Sequence, residues 1–180
     1  MSDERYTLFL YGPFSQWQEA DFILDEIEYG CAEQYMMAEK ARLFGDVYAL
    51  ELILDSDDPA HQKQVGRQIE NFSVSEWEDD DNESGRPHCW LVVWRGNMAK
   101  FSQNPFLRDQ LLATAGTTPV EASPADTIRG IGLTERDPGC RDRSTWRGRN
   151  WLGEVLTHVR ETLARDATPY ERSDDPRQPL

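Results

Sequence analysis

Sequence with the pattern of β-strands is confined to the first thirty residues, and the periodic sequence after them has the spacing of helices. An apolar run at residues 6–11 ends at Gly12-Pro13, and residues 22–29 predict a hairpin that turns at Asp25-Glu26. So little strand sequence cannot build a large sheet. We therefore expect a mainly α protein, a single compact helical domain with a small N-terminal antiparallel β element.

The helices are predicted from apolar spacing and from capping residues. We predict them at residues 31–46, 46–54, 58–70, 89–101, 105–114 and 151–166. Asp58 followed by Pro59 is typical of a helix start, because it supplies an N-cap and a proline at the first helical position. The last helix has its apolar residues in helical register: Leu152, Val155, Leu156, Val159 and Leu163. Residues 78–87 are acidic and predict a solvated loop, and residues 120–126 and 130–132 predict irregular loops.

Length and charge limit the domain count and the partners. A chain of 180 residues suffices for one domain, which we predict at residues 6–166 between flexible ends at 1–5 and 167–180. With 19 Lys plus Arg against 33 Asp plus Glu, the net charge of −14 argues against a broad, non-specific grip on nucleic acid. No apolar run approaches the length of a membrane helix, and the polar N-terminus does not resemble a signal peptide. We therefore expect no membrane association.

The cysteines and histidines predict neither a disulfide framework nor a metal site. The three cysteines (Cys31, Cys89 and Cys140) are odd in number and widely spaced, which favours a reducing, cytoplasmic setting. The three histidines form no cluster with metal-ligand spacing. We therefore expect neither a catalytic metal nor a bound cofactor.

Glu33 and Lys40 are seven residues apart in the first predicted helix, so both project from the same face of it. Apolar side chains surround them, and a carboxylate and an amine in such surroundings are either a structural ion pair or part of the chemistry. The chain has sixteen arginines but only three lysines, and Lys40 and Lys100 lie in its most motif-like segments. A lysine kept among so many arginines suggests a need for an amine, because only lysine can lose its proton and act as a nucleophile. The alternative is that both lysines cap or pair within helices.

A series of short motifs extends from about Leu8 to Leu163. The series comprises residues 12–17, 32–37 with 40–41, 45–46, 65–72, Trp77, 96–104, 121–126, 130–133 and 146–153. In this order the motifs resemble the NADAR family, which is named for its link to NAD and ADP-ribose metabolism. The family includes N-glycosidases of early riboflavin-pathway intermediates. The chain differs from the usual pattern at Arg129, where the family has a tryptophan, and in a longer loop after Trp77.

The resemblance implies an enzyme that hydrolyses the bond between C1 of a ribose and a nitrogen. This reaction passes through an oxocarbenium-like state and needs a negative charge and an acid, and Glu33 and Asp126 match the family's two acidic positions. Each of the two could instead be a cap or a structural carboxylate. A second route uses an amine, Lys40 rather than Lys100, which attacks C1 of the opened sugar and forms a Schiff base.

Further residues are predicted to bind the substrate or shape the pocket. Trp77 matches a pocket aromatic that could stack on the base, although core packing is the alternative. Arg67 could hold a phosphate or form a surface ion pair, and Arg129 can stack on a base or reach a phosphate. The other predicted residues are Ser15, Trp17, Tyr35, Asn97, Lys100 and Gly130.

The resemblance leaves three functions open. The residue types at positions 33–37 and 96–104 favour removal of ADP-ribose from ADP-ribosylated guanine in nucleic acid. An enzyme that acts on an extruded base needs to contact only a short stretch of the nucleic acid. The second is an N-glycosidase of ribosylamino-pyrimidine phosphates, and the third is a non-catalytic module that binds ADP-ribose or NAD. The expected partners are ADP-ribosylated nucleic acid or a ribosyl or ADP-ribosyl small molecule. A cognate ADP-ribosyltransferase toxin that acts on the same substrate is a further candidate.

Overall fold

The computed structural model describes residues 4–80 and 83–167, and the predicted mainly α fold is confirmed. The strands are β1 (Tyr6–Phe9), β2 (Phe22–Leu24), β3 (Ile27–Tyr29) and β4 (Thr118–Glu121). The helices are α1 (Ala32–Leu43), α2 (Val47–Leu54), α3 (Pro59–Gly66), α4 (Val74–Trp77), α5 (His88–Gln103), α6 (Pro105–Leu112) and α7 (Trp151–Ala167). Two short 3₁₀ helices precede α7. Most of the two predicted flexible ends, residues 1–3 and 168–180, lies outside the described residues.

The predicted hairpin is formed by β2 and β3, which pair antiparallel with Phe22 opposite Tyr29. Its turn residues Asp25 and Glu26 both have positive φ, 52° and 64°, as a tight two-residue hairpin turn requires. β1 has a different partner, because it pairs in parallel with β4, a strand more than a hundred residues away. The prediction that residues 120–126 are all loop, and that strands end by residue 30, is therefore wrong. β4 is a four-residue strand containing a proline, and only its pairing with β1 makes it a strand.

Two helices are shorter than predicted because of the chain turns that follow them. α1 ends at Leu43, since Gly45 adopts a positive φ of 70° and Asp46 already caps α2 by accepting a hydrogen bond from the Ala49 N–H. α3 ends at Gly66 and not at residue 70. The predicted N-cap of α3 is confirmed, since Asp58 Oδ1 accepts a hydrogen bond of 2.9 Å from the Ala60 N–H.

α1 is the central helix and packs against α2, α3 and α5, so most of its residues are buried. Glycine allows two of these close approaches. A Cβ added to Gly66 of α3 would collide with Met37, and one added to Gly96 of α5 would lie 2.6 Å from the Tyr35 ring. The small residue at each crossing therefore brings the neighbouring helix against α1.

α7 covers α5, α6 and β4, and all five of its predicted apolar residues are buried, as expected from their register. A smaller apolar cluster lies on β4 and holds the loops between β4 and α7, through Val120, Ile131, Leu133 and Cys140. This cluster fixes the loop that carries Asp126 and Arg129. None of the helices described, in residues 4–80 and 83–167, is long and apolar enough to cross a membrane.

Candidate active site

A cavity of about 540 Å³ lies between α1, α3, α5, α7 and the loops that follow β1 and β4. Eight of the predicted site residues line it: Ser15, Trp17, Glu33, Lys40, Arg67, Trp77, Asp126 and Arg129. Its volume is within the usual range for small-molecule sites. Residues from distant parts of the sequence therefore meet around one ligand-sized space.

Arg129 holds two carboxylates of this cavity. Its Nη1 lies 3.2 Å from Glu33 Oε2, and its Nε lies 3.0 Å from Asp126 Oδ2. Asp126 Oδ1 also accepts hydrogen bonds from the backbone N–H groups of Ile128 and Arg129, at 3.0 and 2.8 Å. Arg129 is thus the common partner of the two predicted acidic residues.

The ionisation of this group follows from its charges. Burial disfavours a charged Asp126, but Arg129 and the two backbone N–H groups outweigh it and hold the pKa of Asp126 below its usual 3.8. Burial also acts against the Arg129 cation, yet the carboxylates of Glu33, Asp126 and Glu121 leave its pKa raised. Asp126 is therefore a carboxylate at neutral pH, and a fixed positive charge stands beside it.

Lys40 lines the same cavity but does not pair with Glu33. Its Nζ donates a hydrogen bond of 2.7 Å to the Gly66 carbonyl and lies 3.8 Å from the centre of the Phe72 ring. The interpretation of Glu33 and Lys40 as a structural ion pair is therefore wrong, since the ion pair of Glu33 is with Arg129. Burial, and then the charge of Arg129, lower the pKa of Lys40, which favours the neutral amine.

Four predicted residues are not part of the cavity lining: Tyr35, Asn97, Lys100 and Gly130. Tyr35 packs in the aromatic core, and Asn97 donates a hydrogen bond of 2.7 Å to the side chain of Gln16, which does line the cavity. A Cβ at Gly130 would lie 2.9 Å from the carbonyl oxygens of both Glu121 and Asp126.

Lys100 is completely buried, and its Nζ donates hydrogen bonds to the carbonyls of Pro13 and Ser15, at 2.9 and 2.8 Å. It therefore holds the loop that carries Ser15 and Trp17 to the cavity. Burial lowers its pKa to about 7. In this structure Lys40, and not Lys100, offers its amine to the cavity.

The sequence reasoning missed three charged residues of the cavity wall, Glu121, Lys63 and Glu78. Lys63 is on α3, one helical turn before Arg67, the residue that follows the helix, and its Nζ is 5.5 Å from the centre of the Trp17 ring. The spacing of Lys63 and Arg67, and the scarcity of lysine, were available signals. Glu121 is part of the motif that contains Asp126, but nothing local distinguishes it from a solvated glutamate.

Trp77, the predicted stacking residue, is the last residue of α4 and lines the cavity. Its ring and the His88 ring make an edge contact, with 5.7 Å between the ring centres. The acidic loop begins directly after it, and the hydrogen bond from the His88 N–H to the Asp79 carbonyl closes that loop. Within residues 4–80 and 83–167 no three His, Cys, Asp or Glu side chains cluster as a metal site.

Together, the fold and the cavity define a small helical domain with carboxylates grouped in one cleft, the kind of site that cleaves glycosidic bonds. The model of the NADAR domain matches residues 6–164. The chain therefore belongs to the NADAR family.

Individual relatives agree with this assignment. The chain is 41% identical over 153 residues to N-glycosidase R617 of Acanthamoeba polyphaga mimivirus, covering 82% of this chain and 85% of that protein. It is 33% identical to the riboflavin biosynthesis protein VVA0006 of Vibrio vulnificus over 77% of this chain, which spans only 32% of that longer protein. The NMR structure of the E. coli protein YbiA has the same fold, with a TM-score of 0.73, 24% identity, and coverage of 97% of this chain and 94% of YbiA. The expected enzyme class, a hydrolase of N-glycosidic bonds, is confirmed.

Proposed function

We propose that this N-glycosidase removes ADP-ribose from ADP-ribosylated guanine in nucleic acid. The observation that carries the proposal is the pairing of two kinds of charge in one cavity. The carboxylates of Glu33 and Asp126 line it together with the cations of Lys63 and Arg67. Cleavage of a ribose C1–N bond requires the carboxylates, and a diphosphate would bind to the cations.

The aromatic residues of the cavity support the same substrate class. Trp77 and Trp17 line it, and Trp17 is 41% exposed, so that a flat base could stack on its indole ring. ADP-ribosyl-guanine contains two bases, a diphosphate and the scissile ribose. A ribosylamino-pyrimidine phosphate, the alternative suggested by the name of VVA0006, has one base and one phosphate and would use less of the cavity.

We propose further that Lys40 attacks C1 of the opened ribose as an amine. Its lowered pKa and its position in the cavity favour this role, and Arg129, rather than Glu33, is the neighbouring charge that promotes its deprotonation. Schiff-base formation would displace the base, and water would then release the sugar. In the competing route, water attacks C1 directly beside the carboxylates of Glu33 and Asp126.

The substrate is tested by three parallel incubations, with an ADP-ribosylated guanine oligonucleotide, with NAD and with a ribosylamino-pyrimidine phosphate. Mass spectrometry identifies the released base, and Glu33→Gln serves as the inactive control. Release from the oligonucleotide alone, or fastest from it, is the expected result. Fastest release from the pyrimidine would instead support the riboflavin-type function, and ligand binding with no release would support the non-catalytic module.

The nucleophile is tested with Lys40→Arg and Lys40→Ala. We expect both to lose activity nearly equally, because guanidinium keeps the charge but cannot form a Schiff base. Borohydride added during turnover should trap a sugar adduct that peptide mapping locates at Lys40. The matched control, Lys63→Arg, should still trap it. An active Lys40→Arg variant without a trapped adduct would establish direct attack by water.

The proposal extends to the setting of the enzyme. An enzyme that removes this adduct needs one that makes it, so we propose a cognate ADP-ribosyltransferase toxin as its functional partner. We also propose a cytoplasmic location, because Cys31, Cys89 and Cys140 are all free thiols, as a reducing compartment would keep them.

A further inference from the structure

A third carboxyl group, that of Glu121, lies in the wall of the cavity. Glu121 is the last residue of β4, and its backbone is fixed on both sides. Its N–H donates a hydrogen bond of 3.1 Å to Asn150 Oδ1, and its carbonyl accepts one of 3.0 Å from the Ile131 N–H. The side chain is therefore presented to the cavity by a rigid strand end and not by a mobile loop.

Glu121 differs from the other two carboxyl groups in its partners. Glu33 and Asp126 each form an ion pair with Arg129, whereas Glu121 forms none with the Lys and Arg residues of the described chain. Its Oε2 is buried and has no hydrogen-bond partner among the described residues; Glu33 Oε1 is also without one, but the other oxygen of Glu33 is held by Arg129. A buried carboxyl oxygen without a donor is more stable when the group carries a proton.

Burial of Glu121 outweighs the surrounding charges, which act in both directions. Burial is the main cause that raises the pKa of Glu121 to about 7; the negative charges of Asp126 and Glu33 add to it, and the positive charges of Arg129 and Lys63 oppose it. The pKa of Asp126 is lowered, so near neutral pH this carboxylate has no proton to give. Among the carboxyl groups of the cavity wall, Glu121 is thus suited to be an acid. Glu33 and Asp126 are instead bound to Arg129, and Glu78 lies 3.9 Å from Arg149.

We propose that Glu121 is the proton donor to the departing nitrogen base. The proposal rests on the N-glycosidase function. The C1–N bond breaks, its electron pair stays on the nitrogen, and that nitrogen takes the proton from the Glu121 carboxyl. When water then adds to C1, of the Lys40 Schiff base or, in the competing route, of the sugar directly, the proton that it releases returns to the Glu121 carboxylate. One water is consumed, and the products are the sugar and the free base, which carries the proton in place of its bond to C1.

This assignment divides the work among the three carboxyl groups. Glu33 and Asp126, held as a pair by Arg129, supply negative charge next to the developing oxocarbenium ion. Glu121, which has no such ion pair, supplies the proton. Two carboxyl groups whose surroundings push their pKa values apart are the usual arrangement of an acid and a charge stabiliser.

The test compares kcat/KM between pH 5 and 9 for the wild type and Glu121→Gln, on the substrate that the wild type cleaves fastest. We expect the wild-type value to fall about tenfold per pH unit above about pH 7, because the acid loses its proton. The kcat/KM of Glu121→Gln should be about 100-fold or more below that of the wild type at pH 6.5, and it should not decline in this way at higher pH. Glu51→Gln, the same change at an exposed position of α2, is the matched control.

A second variant separates catalysis from folding. Glu121→Ala leaves space for a small acid, so added formate should restore part of its activity in proportion to the formic acid present. Glu121→Gln with a wild-type rate and pH profile would overturn the proposal, and so would a loss in Glu121→Ala that formate does not rescue. If the wild type cleaves no N-ribosyl substrate, the proposed function itself fails, which is a different result from an active wild type and an unaffected variant.

Discussion

Replacing Arg129 with methionine should leave two carboxylates without their ion-pair partner and destabilise the protein in a pH-dependent way. Methionine keeps the length of the side chain and much of its volume but removes the charge. The Glu33 side chain is 1% exposed and that of Asp126 is 17% exposed, so little water can replace the lost partner. Breaking such a buried pair costs about 3–5 kcal/mol of unfolding free energy.

We expect a loss of about 3 kcal/mol at pH 7.5, at the low end of that range, because the Arg129 side chain is 19% exposed to the solvent of the cavity. With a urea m-value of about 2 kcal/mol/M, the midpoint should fall by about 1.5 M. Arg129 lowers the pKa of Asp126, so its stabilisation is present above the usual pKa of 3.8 and is lost as the pH falls through the lowered value. The loss should therefore be nearly complete at pH 4 and smaller at about pH 2.5.

The assay is urea unfolding followed by the fluorescence of the six tryptophans, at pH 7.5 and at about pH 2.5. Arg136→Met removes an exposed arginine from the same loop region and should shift the midpoint little. Adding Glu33→Gln to Arg129→Met should recover about 1 kcal/mol, because the stranded charge is then gone. An unchanged midpoint at pH 7.5, or an equal shift at both pH values, would refute this reasoning.

Three further changes test other parts of the structure. Glu33→Gln should lower turnover about 100-fold or more with little change in melting temperature, because the amide still accepts a hydrogen bond from Arg129; normal turnover or outright unfolding would make Glu33 structural. Gly153→Ala should lower the melting temperature and weaken activity, since its Cβ would collide with the Pro119 carbonyl and push β4 off α7; a variant as stable as the wild type would contradict that close approach. Glu121→Gln should raise stability by up to about 3 kcal/mol at pH 8 and little at pH 4.5, measured by urea unfolding. The pKa of Glu121 rises from 4.5 to about 7 on folding, so the native state loses stability as the pH rises between these values. An equal effect of the substitution at both pH values would exclude this raised pKa.

The local features of this protein follow from its sequence alone. The register of the apolar residues in α7, the Asp58-Pro59 start of α3 and the turn at Asp25-Glu26 were all predicted and are present. Each depends on residues a few positions apart, within reach of helix periodicity, capping and turn geometry. The order of motifs also identified the family and eight of the residues that line the cavity.

The tertiary structure decided which of these residues are partners. Glu33 and Lys40 share a helix, yet the charge that pairs with Glu33 is Arg129, 96 positions away. β4 is a strand because β1 lies beside it, and Glu121 has a raised pKa because folding buries its carboxyl group. Pairing distances and burial arise only when distant segments pack together, so the sequence determined the helices and the family, while packing alone determined the charges of the site.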